Sequence, residues 1–307
     1  MAQNTSAGVK GKPEVRENLT RLKKIEAYIS RMPSLSTTVT KVLEVCNSPT
    51  ASPNELNRVI SLDPVLTGRV LTVINSTYYG LPRRVTLLTR AIIMLGLNTV
   101  KNLALSTAIL DSLYKRASFK ALSIEAFWTH SLCVGVGAKS LAGIKGIPVA
   151  QREEYFVAGL LHDLGKIPLN TLFQEDYVLA LQRVREGAGP LYRAENRYLG
   201  IDHGTVGRMI AEKWRLSSGM GASMWQHHDP SEAREENRPM VAMVALANGY
   251  ANASGMACNM DSSPDETAYE TLMEEVGVGR ETLEDLWEGV QGEIENAKVF
   301  LKMSGRP

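Results

Sequence analysis

No stretch of this 307-residue chain sustains the alternation of apolar and polar residues that a half-buried strand requires, while apolar residues recur at helical spacing along most of its length. Together these patterns predict an all-α fold. Local punctuation fixes several helix starts. Ser52-Pro53-Asn54-Glu55 combines an N-cap, a proline at the first helical position and a glutamate three residues after the cap, the pattern of a capping box. Asp63-Pro64 repeats the device, and Val65, Leu66, Val70, Leu71 and Ile74 behind it form one broad apolar face. Gly80-Leu81-Pro82 breaks the chain, after which helical runs are expected over Leu88 to Leu95 and Thr99 to Leu110, joined through Gly96 and Asn98. Phe127 to Ala142, Glu153 to Leu164 and Met240 to Ala251 are longer apolar helical stretches. Glu266 to Val276 and Arg280 to Met303 read as a closing helical hairpin interrupted at Gly277 and Gly279.

A hydrophobic content of 44% lets the chain bury a large core, either as one body or as two closely packed helical subdomains. The first twenty residues are polar, lack the apolar centre of a secretion signal and are expected to be a mobile tail. Strongly apolar runs such as Ala91 to Leu97 and Met240 to Ala247 reach eight residues at most. A bilayer span needs roughly 20, so no membrane segment is expected. Cys46, Cys133 and Cys258 are scattered, odd in number and free of CxxC spacing, which fits a reducing cytoplasm better than a disulfide framework or a zinc ribbon.

The net charge of +1 hides an asymmetry: residues 1–120 carry 17 Lys+Arg against 7 Asp+Glu, and residues 256–307 carry 4 against 12. Because the basic excess is spread over several helices rather than interleaved with aromatics in one run, solvated faces explain it better than a nucleic-acid patch. Arg83 and Arg84 follow a proline in a loop and could reach phosphate, but loop arginines are ordinarily solvated. The chain contains no GxxxxGK[ST] or GxSxG string, which sets aside P-loop and serine-nucleophile enzymes, and no organic cofactor is expected.

All five histidines, His130, His162, His203, His227 and His228, fall between residues 130 and 228. A lone buried histidine is ordinarily a hydrogen-bonded core residue. The stretch Phe156-Val157-Ala158-Gly159-Leu160-Leu161-His162-Asp163-Leu164-Gly165-Lys166 changes the balance, because an apolar helix ending in adjacent His and Asp places both in a low-dielectric setting. Leaving either unpaired there costs about 2 to 7 kcal/mol, and a metal ion would satisfy both. Imidazole with carboxylate suits Fe, Mn, Zn or Ni better than Ca or Mg, and the carboxylate can bridge two ions. Lys166 is either a solvent-facing cation favoured by the helix dipole or a group reaching the site, and spacing does not separate the two.

Several strings follow one another in a familiar order. In the first block they are Met32-Pro33-Ser34-Leu35-Ser36, Leu62-Asp63-Pro64-Val65-Leu66-Thr67, Asn75-Ser76-Thr77-Tyr78-Tyr79-Gly80 and Ala91-Ile92-Ile93-Met94-Leu95-Gly96. In the second they are Trp128-Thr129-His130-Ser131, Gly159 to Lys166, Asp202-His203 and Gln226-His227-His228. Over roughly residues 20–250 the chain resembles the HDOD domain proteins, a branch of the HD superfamily named for metal-dependent phosphohydrolases. The resemblance implies an all-α HDOD fold of two closely packed helical subdomains with an HD-type core. It divides the chain into a flexible tail (1–18), an N-terminal helical subdomain (19–115), an HD-like helical subdomain (116–255) and a C-terminal helical hairpin (256–307).

By the same resemblance, His130, His162, Asp163, His203, His227 and His228 would hold one or two transition metal ions (Fe, Mn, Ni or Zn). A last ligand position, aspartate in active HD enzymes, is taken here by Asn248, whose amide oxygen can coordinate but brings no negative charge. Asp163 and Lys166 are the candidates for catalytic roles. The Gly-Tyr-Pro loop of cyclic-dinucleotide phosphodiesterases is missing, since His228 is followed by Asp229-Pro230-Ser231-Glu232. The function implied is a bacterial-type signal-transduction module, regulatory and protein-binding, with a retained HD-type metal site. The alternative is a metal-dependent phosphohydrolase or a di-iron oxidative enzyme of that superfamily. Its expected partners are signalling proteins and a phosphate-containing small ligand, with neither membrane nor nucleic acid among them.

Overall fold

The structure, a computed structural model, describes residues 15–32, 35–46, 48, 50–114, 121–254, 261 and 266–302. Among these residues there is no strand, as the missing alternation predicts. The first block comprises α2 (Thr37–Cys46), α3 (Pro53–Ile60), α4 (Pro64–Ile74), α5 (Leu88–Leu95) and α6 (Leu97–Tyr114). Their starts have the expected local causes. The Ser52 side chain accepts from the Glu55 amide at 3.2 Å and the Asp63 carboxylate from the Leu66 amide at 2.9 Å, so one of the free amides at each helix start is satisfied. Val39, Val42, Leu56, Ile60, Val70, Val73 and Val100 fill the space between these helices.

The second block runs through α7 (Ile124–Ile144), α8 (Val149–Leu161), α9 (Lys166–Leu172), α10 (Gln174–Arg185), α11 (Leu191–Leu199), α12 (His203–Trp214), α13 (Ser218–Gln226) and α14 (Arg238–Ala253), with a single 3-10 turn at Pro230–Glu232. Helix α7 is its axis, packed along α8 and α14, and α8 also carries α6, so the two blocks share one continuous core. Where α7 crosses α8 the backbones touch. A Cβ on Gly159 would lie 2.7 Å from the Gly135 Cα and the Val134 carbonyl oxygen, so only glycine permits this crossing.

Two expectations are corrected here. Helix α1 (Val15–Arg31) begins inside the stretch expected as a tail, while residues 1–14 lie outside the described residues. It also packs on α9 and α12 rather than on the first block to which residues 19–115 were assigned. The physical reason is an amphipathic stripe, Ile25 and Ile29 being buried, reinforced by Lys213 of α12. The Lys213 ammonium donates to the carbonyls of Ile29, Ser30 and Met32 at 2.5, 2.7 and 3.0 Å, capping the negative end of the α1 dipole.

The chain closes with α15 (Glu266–Val276), α16 (Arg280–Ala297) and α17 (Val299–Lys302). Rather than pairing chiefly with each other as a hairpin, α15 packs on α14 and α16 on α7, where Trp287 is buried and stacks on Tyr250. The boundaries expected at 115/116 and 255/256, and the Pro33-Ser34 part of the family-like opening, fall outside the described residues. Among the described residues no single helix is long and apolar enough to cross a membrane.

Candidate metal centre

Three helix ends and one helix face converge in the second block. His130 projects from α7, His162 and Asp163 stand at the end of α8, His203 opens α12, and His227 and His228 follow the last residue of α13. The α8 end is pressed against the α12 start, since a Cβ on Gly165 would fall 2.8 Å from the Gly207 amide nitrogen and closer still to the His203 carbonyl oxygen. Glycine in the His-Asp-Leu-Gly-Lys string is therefore what brings Asp163 up to His203.

Asp163 is the centre of the arrangement and is 1% exposed. Its Oδ2 faces His162 Nε2 at 3.3 Å and His130 Nε2 at 3.5 Å, and its Oδ1 faces His203 Nε2 at 3.3 Å and His227 Nε2 at 3.8 Å. His228 Nε2 completes the second flank, 2.8 Å from His203 Nε2. Two three-residue groups thus flank one carboxylate, His130 with His162 and Asp163, and His203 with His227 and His228, the donor atoms of each lying within 4.8 Å of one another.

The orientation of the rings is set from behind. His203 Nδ1 lies 2.6 Å from Glu195 Oε2 of α11, which also accepts from the His203 amide at 2.8 Å. His162 Nδ1 meets the Gly159 carbonyl at 2.7 Å and His227 Nδ1 the Ser223 carbonyl at 2.9 Å. Because each of these acceptors claims an Nδ1–H, each ring is left with its Nε2 lone pair directed at the centre, the back-bonding by which proteins hold metal-ligating histidines. His162 Nε2, both His130 nitrogens and Asp163 Oδ1 are buried without a hydrogen bond, an expensive arrangement that a bound cation relieves. The residues present therefore fit a transition metal.

The electrostatics point the same way. Burial drives the His130 ring down to about 3, and burial together with neighbouring rings holds His227 and His228 well below the ordinary imidazole range, so all three stay neutral and able to ligate. Burial works against His203 too, but Glu195 outweighs it and raises the ring. Burial would raise Asp163, yet His162 and Lys166 hold its carboxyl well below the usual carboxylate range.

Of the two readings of Lys166, the second is the one seen. Its side chain is buried at the start of α9 and its Nζ donates to Asp163 Oδ2 at 2.6 Å, so it reaches the site and not solvent. Asn248, on α14, lies beside His130, and its Oδ1 accepts from Asn252 Nδ2 at 3.1 Å. Glu195, Asn252, Tyr192 and Asp261 were not singled out in the sequence. Glu195 is eight residues before His203 on another helix, and no local pattern links such a pair. Tyr192 stacks on the half-buried His228 ring at 4.5 Å between centroids. A cleft of about 620 Å³, lined among others by Tyr192, Arg193, His227, His228, Asn248 and Asn252, opens from the second flank toward solvent.

Comparison with known proteins agrees with this architecture. The HDOD domain matches residues 32–230. A crystal structure of an HDOD domain protein of unknown function from Geobacter sulfurreducens aligns over 94% of this chain and 98% of its own, at 24% identity and a TM-score of 0.71. A proposed phosphohydrolase from Shewanella amazonensis SB2B aligns over 90% of this chain and 98% of its own, at 20% identity and a TM-score of 0.69. A proposed signal transduction protein from Marinobacter aquaeolei VT8 aligns over 94% of this chain and 66% of its own, at 20% identity and a TM-score of 0.70. These likenesses are of fold. Among curated sequences, an uncharacterized protein of Treponema pallidum (strain Nichols) is 23% identical over 236 residues, which are 76% of this chain and 45% of that protein, so the chain spans less than half of that relative.

Proposed function

The chain belongs to the HDOD domain family, and from that premise we propose that it is a signal-transduction module whose helical core carries a transition-metal centre and whose surface binds signalling proteins. The observation that supports the metal centre above all others is the fixed direction of His162, His203 and His227, each tied through Nδ1 so that its Nε2 converges with the others on Asp163. The residues that would hold one or two ions of Fe, Mn, Ni or Zn are His130, His162, Asp163, His203, His227 and His228, with the Asn248 amide beside His130. A bound ion would supply Lewis acidity and a water acidified toward pKa ~7. Asp163 keeps the centre anionic, Glu195 holds the tautomer of His203, and buried Lys166 holds Asp163 in place. Asn248 offers no carboxylate to accept a proton, which favours a regulatory over a hydrolytic role. The free thiols of Cys46 and Cys133 support the reducing cytoplasm as its compartment.

One observation favours the second reading, a metal-dependent phosphohydrolase. The cleft reaches His227 and His228 and has exposed Arg193 on its rim, room and charge for a small phosphate-containing ligand. Metal-stripped protein reloaded with Mn(II), Fe(II) or Zn(II) and offered a chromogenic phosphodiester separates the readings. A thermal shift on reloading without turnover is the result expected of a regulatory centre. Turnover that His228→Ala abolishes would establish the enzyme, and no shift with any of the ions would remove the metal centre.

A further inference from the structure

The two flanks of Asp163 are not equivalent. On the Oδ1 side the His203, His227 and His228 Nε2 atoms and the carboxylate oxygen form a donor set whose recorded separations run from 2.8 to 3.8 Å. With metal–ligand bonds of about 2.0–2.1 Å, adjacent ligands in a four- to six-coordinate shell lie about 2.8–3.4 Å apart, so one ion fits this set with small adjustments. Glu195 behind His203 adds electron density to that ring. On the Oδ2 side only two rings are present, Asn248 contributes no charge, and Oδ2 already carries the Lys166 ammonium at 2.6 Å. Asp261 and Glu195 also attract that ammonium, and Lys166 is 1% exposed, so it has no route to solvent.

Resting on the metal-centre reading above, we propose that the centre takes one ion tightly, at His203, His227, His228 and Asp163 Oδ1, and that Lys166 occupies the charge position of a second ion on the His130–His162 side. An ion added there would share Oδ2 with a fixed positive charge and gain no carboxylate from Asn248 in compensation. Lys166 is thereby a positioning residue that sets the metal stoichiometry.

The test is titration of metal-stripped full-length protein with Co(II), read by visible absorption and by ion count after desalting, with far-ultraviolet circular dichroism to confirm the fold of each variant. Wild type is expected to retain one equivalent. His228→Ala loses it, whereas His130→Ala retains it within about threefold in affinity. Lys166→Met gains a second equivalent or tightens the second ion by at least about tenfold. Should Lys166→Met fold poorly, Asn248→Asp adds a carboxylate to the same flank with the lysine left in place and is expected to shift second-ion affinity in the same direction. Two ions of equal affinity in wild type, or a tight ion lost in His130→Ala but kept in His228→Ala, would overturn the asymmetry and leave the metal centre standing. No ion bound by wild type would overturn both.

Discussion

The two helical blocks bury different things. Among the described residues of α2 to α6, the buried polar side chains are uncharged ones, Thr99, Asn102, Ser106 and Thr107, in an otherwise apolar interior. The α7–α14 block instead buries ionisable groups: Glu153, Asp163, Lys166 and Glu195 together with His130, His162, His203 and His227. Buried ion pairs seldom stabilise a fold more than well-packed apolar residues of similar volume would, so packing alone does not account for this cluster. The helix starts of the first block are satisfied by neighbouring side chains, whereas the second block keeps an expensive polar centre, which under the proposed function is the metal site.

The largest expected effect tests the second block. Asp163→Ala leaves the Lys166 ammonium buried without its partner and takes the shared carboxylate from both flanks; we expect a loss of about 3–5 kcal/mol in urea unfolding and loss of bound metal. A variant of wild-type stability would show that Lys166 has another partner and that Asp163 is not the hinge of the cluster.

A smaller effect follows from the neutral rings. His130, His227 and His228 sit below the free-imidazole value of about 6.5 in the fold and regain it on unfolding, so below that pH the unfolded chain binds more protons and stability falls with pH. His203, raised in the fold, acts in the opposite direction but is one ring against three. Metal-free protein should therefore unfold at lower urea concentration at pH 5 than at pH 7.5. Equal midpoints would contradict a cluster held neutral.

The smallest effect belongs to the first block. Ser52→Ala and Asp63→Ala each remove one cap and should cost about 0.5–2 kcal/mol with metal content unchanged. A change in bound metal in either variant would show that the blocks are coupled more tightly than the contrast allows.

The same contrast explains what could be read from the sequence. Helix α5 was expected and found over Leu88–Leu95, and the caps at Ser52 and Asp63 were visible because capping is settled within four residues. The histidines and Asp163 stood out through residue type and the family-like order. Glu195, the closeness of Gly165 to His203 and the docking of α1 on α9 and α12 depend on elements distant in sequence, which periodicity does not encode. Lys166 lay between, its position legible but its direction decided by the tertiary contact with Asp163.

The central claim is that the second block is built around a metal. Elemental analysis of protein purified without a metal-affinity tag, expressed as ions per chain, addresses it most directly. Close to one transition metal ion per chain is expected, lost in Asp163→Ala. A metal-free chain that takes up none on supplementation would contradict it and leave the histidine cluster as a polar core without a ligand.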